Sequence, residues 1–166
     1  ASGKLGSGGM ESKLAAARMA SWAGVTTTIA AATRDNVVAD SLLRVGELGT
    51  IIRPKPKPLS ARKLWIAFAV QSKGKLVIDM GAQEAIEDNG GSLLVVGVLE
   101  LHGIFNRGDA VEILNEKSEL IARGLVSLDS SELKDFLGEK VNGTDEMQSS
   151  EVIHRDELVI LSDKHY

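Results

Sequence analysis

All three prolines of this chain lie in one short segment, and that segment constrains the fold more than any other feature. Pro54, Pro56 and Pro58 alternate with basic residues, so the backbone there loses every second amide donor and is held extended, near polyproline II. Such a segment does not continue a helix or a central strand. We therefore predict a basic linker and helix over residues 53–73, separating two regions of different pattern.

Residues 1–52 have the pattern of an α/β fold. A glycine-rich stretch leads directly into an alanine-rich helix predicted over Glu11–Ala23, because alanine has the highest helix propensity. A short buried strand is predicted over Val25–Ala31. Asp35 or Asn36 can cap a second helix that ends before Gly46. Helix, strand and helix in succession are typical of a layered α/β domain.

The predicted helix of the linker region begins after Ser60, whose hydroxyl can cap it, and continues through Val70. Leu64, Trp65 and Phe68 have the spacing of an apolar stripe on one helix face.

After Gly74 the pattern becomes that of a small β barrel or sandwich extending to residue 161, with residues 162–166 as a tail. Strands separated by turn residues are predicted over 75–78, 98–101, 110–114, 119–126 and 151–161. A short helix is expected over Gly81–Asp88 behind Asp79, and another after Ser130. Asp109, in an Arg-Gly-Asp turn, is expected to serve a hairpin.

The amino-acid composition limits the classes of protein to which this chain can belong. The chain has 166 residues, 43% of them hydrophobic and 25% charged, which is enough apolar material for a core. It has no cysteine, no signal-like start and no apolar run long enough for a bilayer. We therefore expect a soluble, cytoplasmic protein that does not act in a membrane.

Charge is distributed unevenly along the chain. Residues 1–73 contain 11 basic and 4 acidic residues, a net charge of +7, whereas residues 74–140 contain 6 and 13, a net charge of −7. Residues 141–166 have a net charge of −4. Because anions are bound by basic regions, we expect any phosphate site in the first region.

The glycine-rich stretch has the residue types of a phosphate site. Glycines let backbone amides approach phosphate oxygens, a helix amino terminus adds partial positive charge, and a lysine can neutralise a transferring phosphoryl group. The spacing is neither that of a Walker motif nor that of a dinucleotide-binding fingerprint, and a flexible loop before a helix explains it equally well. The candidate ATP-binding residues are Ser7, Gly8, Gly9, Met10, Glu11, Ser12 and Lys13.

The same stretch resembles a conserved segment of glutamate 5-kinases, members of the amino-acid kinase superfamily. Residues 6–17 are similar to the family's Gly-Thr-Gly-Gly-Met-x-Thr-Lys-x-x-Ala-Ala, with Ser7 and Ser12 where threonine is usual. Further similar stretches follow in the same order along the chain. They are residues 23–25, 45–50, 61–67, 79–82, 91–94, 103–109, 121–125 and 152–156.

The resemblance implies an α/β remnant of an amino-acid kinase domain followed by a PUA domain. It implies transfer of a phosphoryl group from ATP, with Mg²⁺, to L-glutamate, in a homo-oligomer that proline inhibits. Ser7–Lys13 would form the second ATP-contacting segment, with Lys13 as the phosphate-stabilising, catalytic lysine. The family's first glycine-rich loop and its glutamate-binding residues would lie upstream of residue 1, so we expect this chain alone to be inactive.

Two other functions remain open for the β region. PUA domains occur in RNA-modifying enzymes, but a net charge of −7 disfavours RNA unless Lys75, Arg107 and Arg123 converge on one patch. We prefer the second possibility, a non-catalytic appendage that sets the oligomeric state or tunes the kinase.

Several other residues have simple structural interpretations. His102 and His154 have no partner at metal-ligand spacing, so we expect structural or surface roles. We expect packing roles for four large apolar residues, Met10, Met19, Trp22 and Trp65. We expect the acidic cluster to form a solvated helix face, and its members are Asp129, Glu132, Asp135 and Glu139.

Overall fold

The computed structural model describes residues 9–43, 48–138 and 149–162. The chain divides into two compact units, with the boundary between Leu64 and Trp65. Among the described residues, no helix combines the length and the apolar character that crossing a membrane requires.

The first unit is made of short helices and one two-stranded ribbon. Its elements are α1 (Met10–Trp22), β1 (Thr27–Ile29), α2 (Val37–Leu43), β2 (Thr50–Ile52) and α3 (Ala61–Leu64). β1 pairs antiparallel with β2. Both predicted helices are present. The predicted strand is shorter than expected and half-buried rather than buried, because no third strand among the described residues pairs with the ribbon.

Residues 53–59 lie against the end of α1 instead of forming a detached spacer. The amide of Lys55 donates to the carbonyl of Ser21 at 3.0 Å, and the amide of Leu59 donates to the carbonyl of Trp22 at 2.8 Å. The ammonium of Lys55 lies 5.2 Å from the centre of the Trp22 ring, a cation–π contact. The proline segment therefore covers the only fully buried tryptophan among the described residues.

The helix predicted from Ser60 has an unexpected second half. Its start is confirmed, because the Ser60 hydroxyl accepts from the amide of Lys63 at 3.3 Å. After α3, however, Trp65–Ala69 form a π turn, closed by the amide of Val70 on the carbonyl of Trp65. A π turn changes the angular spacing of side chains. The predicted stripe is therefore wrong at Trp65, which is 47% exposed, whereas Leu64 and Phe68 are half-buried and Ile66 and Ala67 are buried.

The second unit is mostly β, as the sequence predicts. Its strands are β3 (Ser72–Ile78), β4 (Leu93–Leu94), β5 (Val98–Gly103), β6 (Ala110–Leu114), β7 (Leu120–Leu125), β8 (Glu151–Ile153) and β9 (Leu158–Ile160). A five-stranded sheet has the order β5-β3-β6-β7-β9, and β4 pairs with β8. All these pairs are antiparallel except β3 with β6.

Two helices accompany this sheet, both at predicted positions. They are α4 (Met80–Glu87) and α5 (Ser130–Gly138). The Asp79 carboxylate caps α4, accepting from the amide of Ala82 at 2.7 Å. Ile86 of α4 and Leu133 of α5 are almost completely buried in the core of the sheet, which fixes both helices on it.

Three details of the β region differ from the sequence prediction. The two-residue strand β4 was too short to recognise, and the long strand predicted over residues 151–161 is interrupted by a 3₁₀ turn at Arg155–Glu157. Asp109 does not serve a hairpin, because β5 and β6 lie on opposite sides of β3. Its carboxylate instead accepts from the amide of Asn106 at 2.9 Å, closing a loop that crosses the end of β3.

Candidate functional site

The described part of the predicted ATP-binding segment is Gly9–Lys13, and Ser7 and Gly8 lie outside the described residues. Gly9 immediately precedes α1 in an extended conformation, with φ −71° and ψ −175°. A Cβ added to Gly9 would meet no atom within 4 Å. The backbone is therefore open at the start of a 13-residue helix, where anions are favoured.

Hydrogen bonding at this helix start leaves donors available. The amides of Met10 and Glu11 make no hydrogen bond within the described ranges, as expected for a first helical turn. The Ser12 hydroxyl donates to the carbonyl of Gly9 at 2.9 Å, and the amide of Lys13 reaches the same carbonyl at 3.4 Å. Because its proton is engaged, the Ser12 hydroxyl must rotate before it can donate to a phosphate oxygen.

The two charged side chains at the helix start, those of Lys13 and Glu11, have opposite effects on anion binding. Lys13 is exposed and follows Met10 by three residues, so its side chain can extend back towards the first-turn amides. Glu11, in the first turn, stabilises the helix itself but repels an incoming anion. The described residues thus fit the phosphate end of a nucleotide through backbone amides and one lysine.

The described part of the chain offers magnesium no cluster of several ligands. No group of three or more His, Cys, Asp or Glu side chains there could hold a metal ion. Hard cations such as Mg²⁺ are commonly carried by nucleotide phosphates together with one or two carboxylates. The only carboxylate next to the described part of the loop is that of Glu11.

The three basic residues that could have formed an RNA patch do not combine into one. Lys75 and Arg123 both contact Glu112, at 3.5 and 2.9 Å, in a row across β3, β6 and β7. Arg107 instead pairs with Glu132 at 3.2 Å. The hydrogen bond from Arg123, then its charge and that of Lys75, lower the pKa of Glu112, which partial burial opposes. Glu112 therefore stays ionised and neutralises part of this surface.

Arg123 has a second contact that the sequence did not indicate. Its guanidinium also donates to the carbonyl of Ala67 at 3.1 Å, in the π turn. Arg123 and Glu112 are each only 21% exposed, so this row ties the π turn to the sheet. A strand residue that reaches 56 positions back along the chain leaves no local sequence signal.

The two histidines that the structure describes each contact a neighbouring carboxylate. His102 Nε2 lies 3.1 Å from Glu100, and His154 Nδ1 lies 3.6 Å from Asp156 while accepting from the backbone amide of that residue. These contacts agree with the structural or surface roles expected for both residues.

The acidic cluster is partly a helix cap rather than a simple solvated face, and its fourth member, Glu139, lies outside the described residues. The Asp129 carboxylate accepts from the amides of Ser131 and Glu132, each at 2.9 Å, and Glu132 accepts from the amide of Asp129 at 2.9 Å. This reciprocal capping box begins α5. Hydrogen bonds from the Ser131 hydroxyl and the Glu132 amide lower the pKa of Asp129. The Asp-x-x-Glu spacing was a sequence signal that we missed.

The expectation that the large apolar residues pack is correct for Trp22 alone. Met10 is 61% exposed, Met19 43% and Trp65 47%. Other apolar side chains of the first unit are also exposed, among them Val38, Leu42 and Leu43. The helices and the single ribbon of this unit have too little partner surface to cover these side chains.

Comparison with known proteins identifies relatives of both regions. The PUA domain family matches residues 74–146. The glutamate 5-kinase of Chromohalobacter salexigens is 41% identical over 163 residues, covering 96% of this chain and 43% of the relative. That of Nocardia farcinica is 43% identical over 157 residues, covering 95% and 42%.

Among solved structures, a PUA domain from Aeropyrum pernix K1 is 29% identical, with a TM-score of 0.43, and covers 57% of this chain and 48% of that one. The chain spans less than half the length of the curated relatives it matches. It is therefore similar, over nearly its whole length, to the carboxy-terminal part of glutamate 5-kinases, and residues 74–146 of its second region match the PUA domain family.

Proposed function

We propose that this chain works as the carboxy-terminal part of a glutamate 5-kinase. The complete enzyme would transfer the γ-phosphoryl group of ATP, carried with Mg²⁺, to the side-chain carboxylate of L-glutamate, giving glutamyl 5-phosphate for proline synthesis. The observation that carries this proposal is the 41% identity over 163 residues to a glutamate 5-kinase. Because the chain spans under half of that relative, catalysis would need the remaining part as well.

The contribution of the described loop would be positioning and charge neutralisation. The open backbone at Gly9 and the first-turn amides of α1 would bind phosphate oxygens, and Lys13 would stabilise the charge that develops on the transferring group. Such a transfer needs no covalent enzyme intermediate. Ser7 and Gly8 complete the proposed segment, and Glu11 lowers its affinity for anions.

The PUA domain would be a non-catalytic appendage in a homo-oligomer that proline inhibits. In its charged row, Lys75 and Arg123 share the carboxylate of Glu112, and Arg123 also contacts the π turn. RNA binding is disfavoured, because the basic residues do not converge and the segment has a net charge of −7.

The kinase proposal is tested by joining this chain to the amino-terminal part of the Chromohalobacter salexigens relative and measuring glutamate-dependent ATP turnover. We expect turnover in the chimera and a fall of kcat by about a hundredfold or more in Lys13→Ala, typical for losing one group that stabilises transition-state charge. Lys134→Ala, which removes an exposed lysine from α5, is the matched control and should retain full activity.

The same assay contains the results that would contradict the proposal. A folded chimera without glutamate-dependent turnover would remove the kinase assignment, and full activity in Lys13→Ala would remove the role of Lys13. Turnover by the 166-residue chain alone would show that the missing part is unnecessary. Salt-sensitive retention of an RNA hairpin by the chain would favour the RNA-binding alternative instead.

A further inference from the structure

A groove of about 660 Å³ lies in the PUA domain between α4 and the turn that joins β6 to β7. Ile78 and Ile121 belong to its apolar lining. Two large apolar side chains beside them are exposed, Met80 by 69% and Leu120 by 42%. Exposed apolar side chains grouped in a concavity are typical of a docking surface.

The rim of this groove is acidic. Its lining includes five carboxylates and one lysine: Glu84, Glu87, Asp88, Glu116 and Glu119, with Lys117. The residues come from two separate elements that face each other, so their negative potential adds within the concavity.

The turn on one side of the groove is preorganised. Asn115 Oδ1 accepts from the amides of Lys117 and Glu119, at 3.0 and 2.9 Å. Asn115 Nδ2 donates to the Glu119 carboxylate at 2.7 Å. On the other side, Glu87 accepts from Gln83 at 3.0 Å and from the hydroxyl of Ser162. Fixed carboxylates lose little side-chain entropy when a partner binds.

The chain contains a segment of complementary chemistry. Residues 53–63, here called the basic segment, carry five basic residues and no acidic one. Arg53, Lys57 and Arg62 are exposed, as are Pro54, Pro56 and Pro58, and the stretch before α3 is neither helix nor strand.

We propose that the acidic groove of one copy binds the basic segment of a second copy. Proline rings and aliphatic lysine stems would cover Met80 and Leu120, while the basic heads reach Glu84 and Glu116 at the rim. Each copy carries one groove and one basic segment, so two copies that dock reciprocally would form a twofold dimer. The proposal does not require the chain to be a kinase, and its test needs no activity.

The test is a charge exchange on the whole chain, followed by sedimentation velocity at about 50 mM salt. The wild type should dimerise. Glu84→Lys with Glu116→Lys, and separately Arg53→Glu with Lys57→Glu, should each weaken dimerisation at least about tenfold, because both place like charges in contact. Combining all four changes in one chain should restore the dimer, with opposite charges exchanged.

The matched control for the groove variant is Asp135→Lys with Glu151→Lys. It makes the same change in net charge as Glu84→Lys with Glu116→Lys, at exposed positions outside the groove. It should dimerise as the wild type does. A monomeric wild type overturns the proposal, as does a groove variant that dimerises normally. A combined variant that is folded by circular dichroism and stays monomeric also overturns it, as would a control that loses dimerisation equally.

Discussion

The replacement Glu112→Gln tests the charged row that joins three strands of the second unit. Glutamine keeps the size of the side chain and can still accept from Arg123, so the change removes charge with little loss of packing. Glu112 lies 2.9 Å from Arg123 and 3.5 Å from Lys75, while Lys75 is 55% exposed. The pair with Arg123 should therefore contribute most of the effect.

The size of the effect follows from partial burial. Two unit charges about 4 Å apart attract each other by about 4 kcal/mol at an effective dielectric constant of about 20, before desolvation is subtracted. Exposed pairs retain at most about 1 kcal/mol, and breaking fully buried ones costs about 3–5 kcal/mol. For a pair whose members are each 21% exposed, we expect Glu112→Gln to lower the free energy of unfolding by about 1.5 kcal/mol at pH 7.

The effect must depend on pH with a defined sign. Because the folded-state pKa of Glu112 lies below its ordinary value, its ionisation stabilises the fold above the unfolded-state pKa. That contribution is lost as the pH falls through the lowered folded-state pKa. The difference between wild type and Glu112→Gln should therefore be full at pH 7 and shrink at pH values below the ordinary carboxyl range.

Urea unfolding at a series of pH values measures this difference. Amide resonances of Val111 and Ala122, on β6 and β7, report the second unit separately from the first. A double-mutant cycle with Arg123→Met should give a coupling of about 1 kcal/mol. A loss below about 0.5 kcal/mol, or one that stays constant or grows as the pH falls, would refute the assignment of stability to this row.

Three further changes test packing and capping in the same unfolding assay. Gly97→Ala should cost about 1–3 kcal/mol, because its Cβ would lie 2.4 Å from a side-chain carbon of α4, whereas the control Gly138→Ala meets nothing within 4 Å and should not destabilise. An equal effect of both would contradict the overpacking. Asp79→Ala should cost about 1 kcal/mol by removing the cap of α4, and an unchanged midpoint would show that the cap is dispensable. Leu133→Ala, at a fully buried position, should cost about 2–5 kcal/mol, and a loss under about 1 kcal/mol would mean that α5 is not anchored there.

Much of the secondary structure was predictable because its signals are local. The alanine-rich run before Gly24 and the aspartate before α4 define helices through propensity and capping, which depend on neighbours within a few residues. The candidate phosphate loop was found in the same way, from glycines followed by a helix and Lys13. Its role as an ATP site remains a prediction.

The errors came from interactions between distant residues. The stripe of Leu64, Trp65 and Phe68 assumed a regular helix, but the π turn altered its period, and Arg123 contacts that turn from the sheet. The hairpin at Asp109 assumed that consecutive strands pair, but β3 lies between them. Neither arrangement leaves a pattern within a short stretch of sequence.

The sequence by itself determined that a basic α/β region is followed by an acidic β region, because composition and periodicity are properties of the chain alone. Tertiary structure decided which charges meet. It placed Lys75 and Arg123 on Glu112, directed Arg107 to Glu132, and brought α4 and the β6–β7 turn together around one groove. Such pairings depend on strand order and register, which are set by burial of the whole sheet rather than by any single segment.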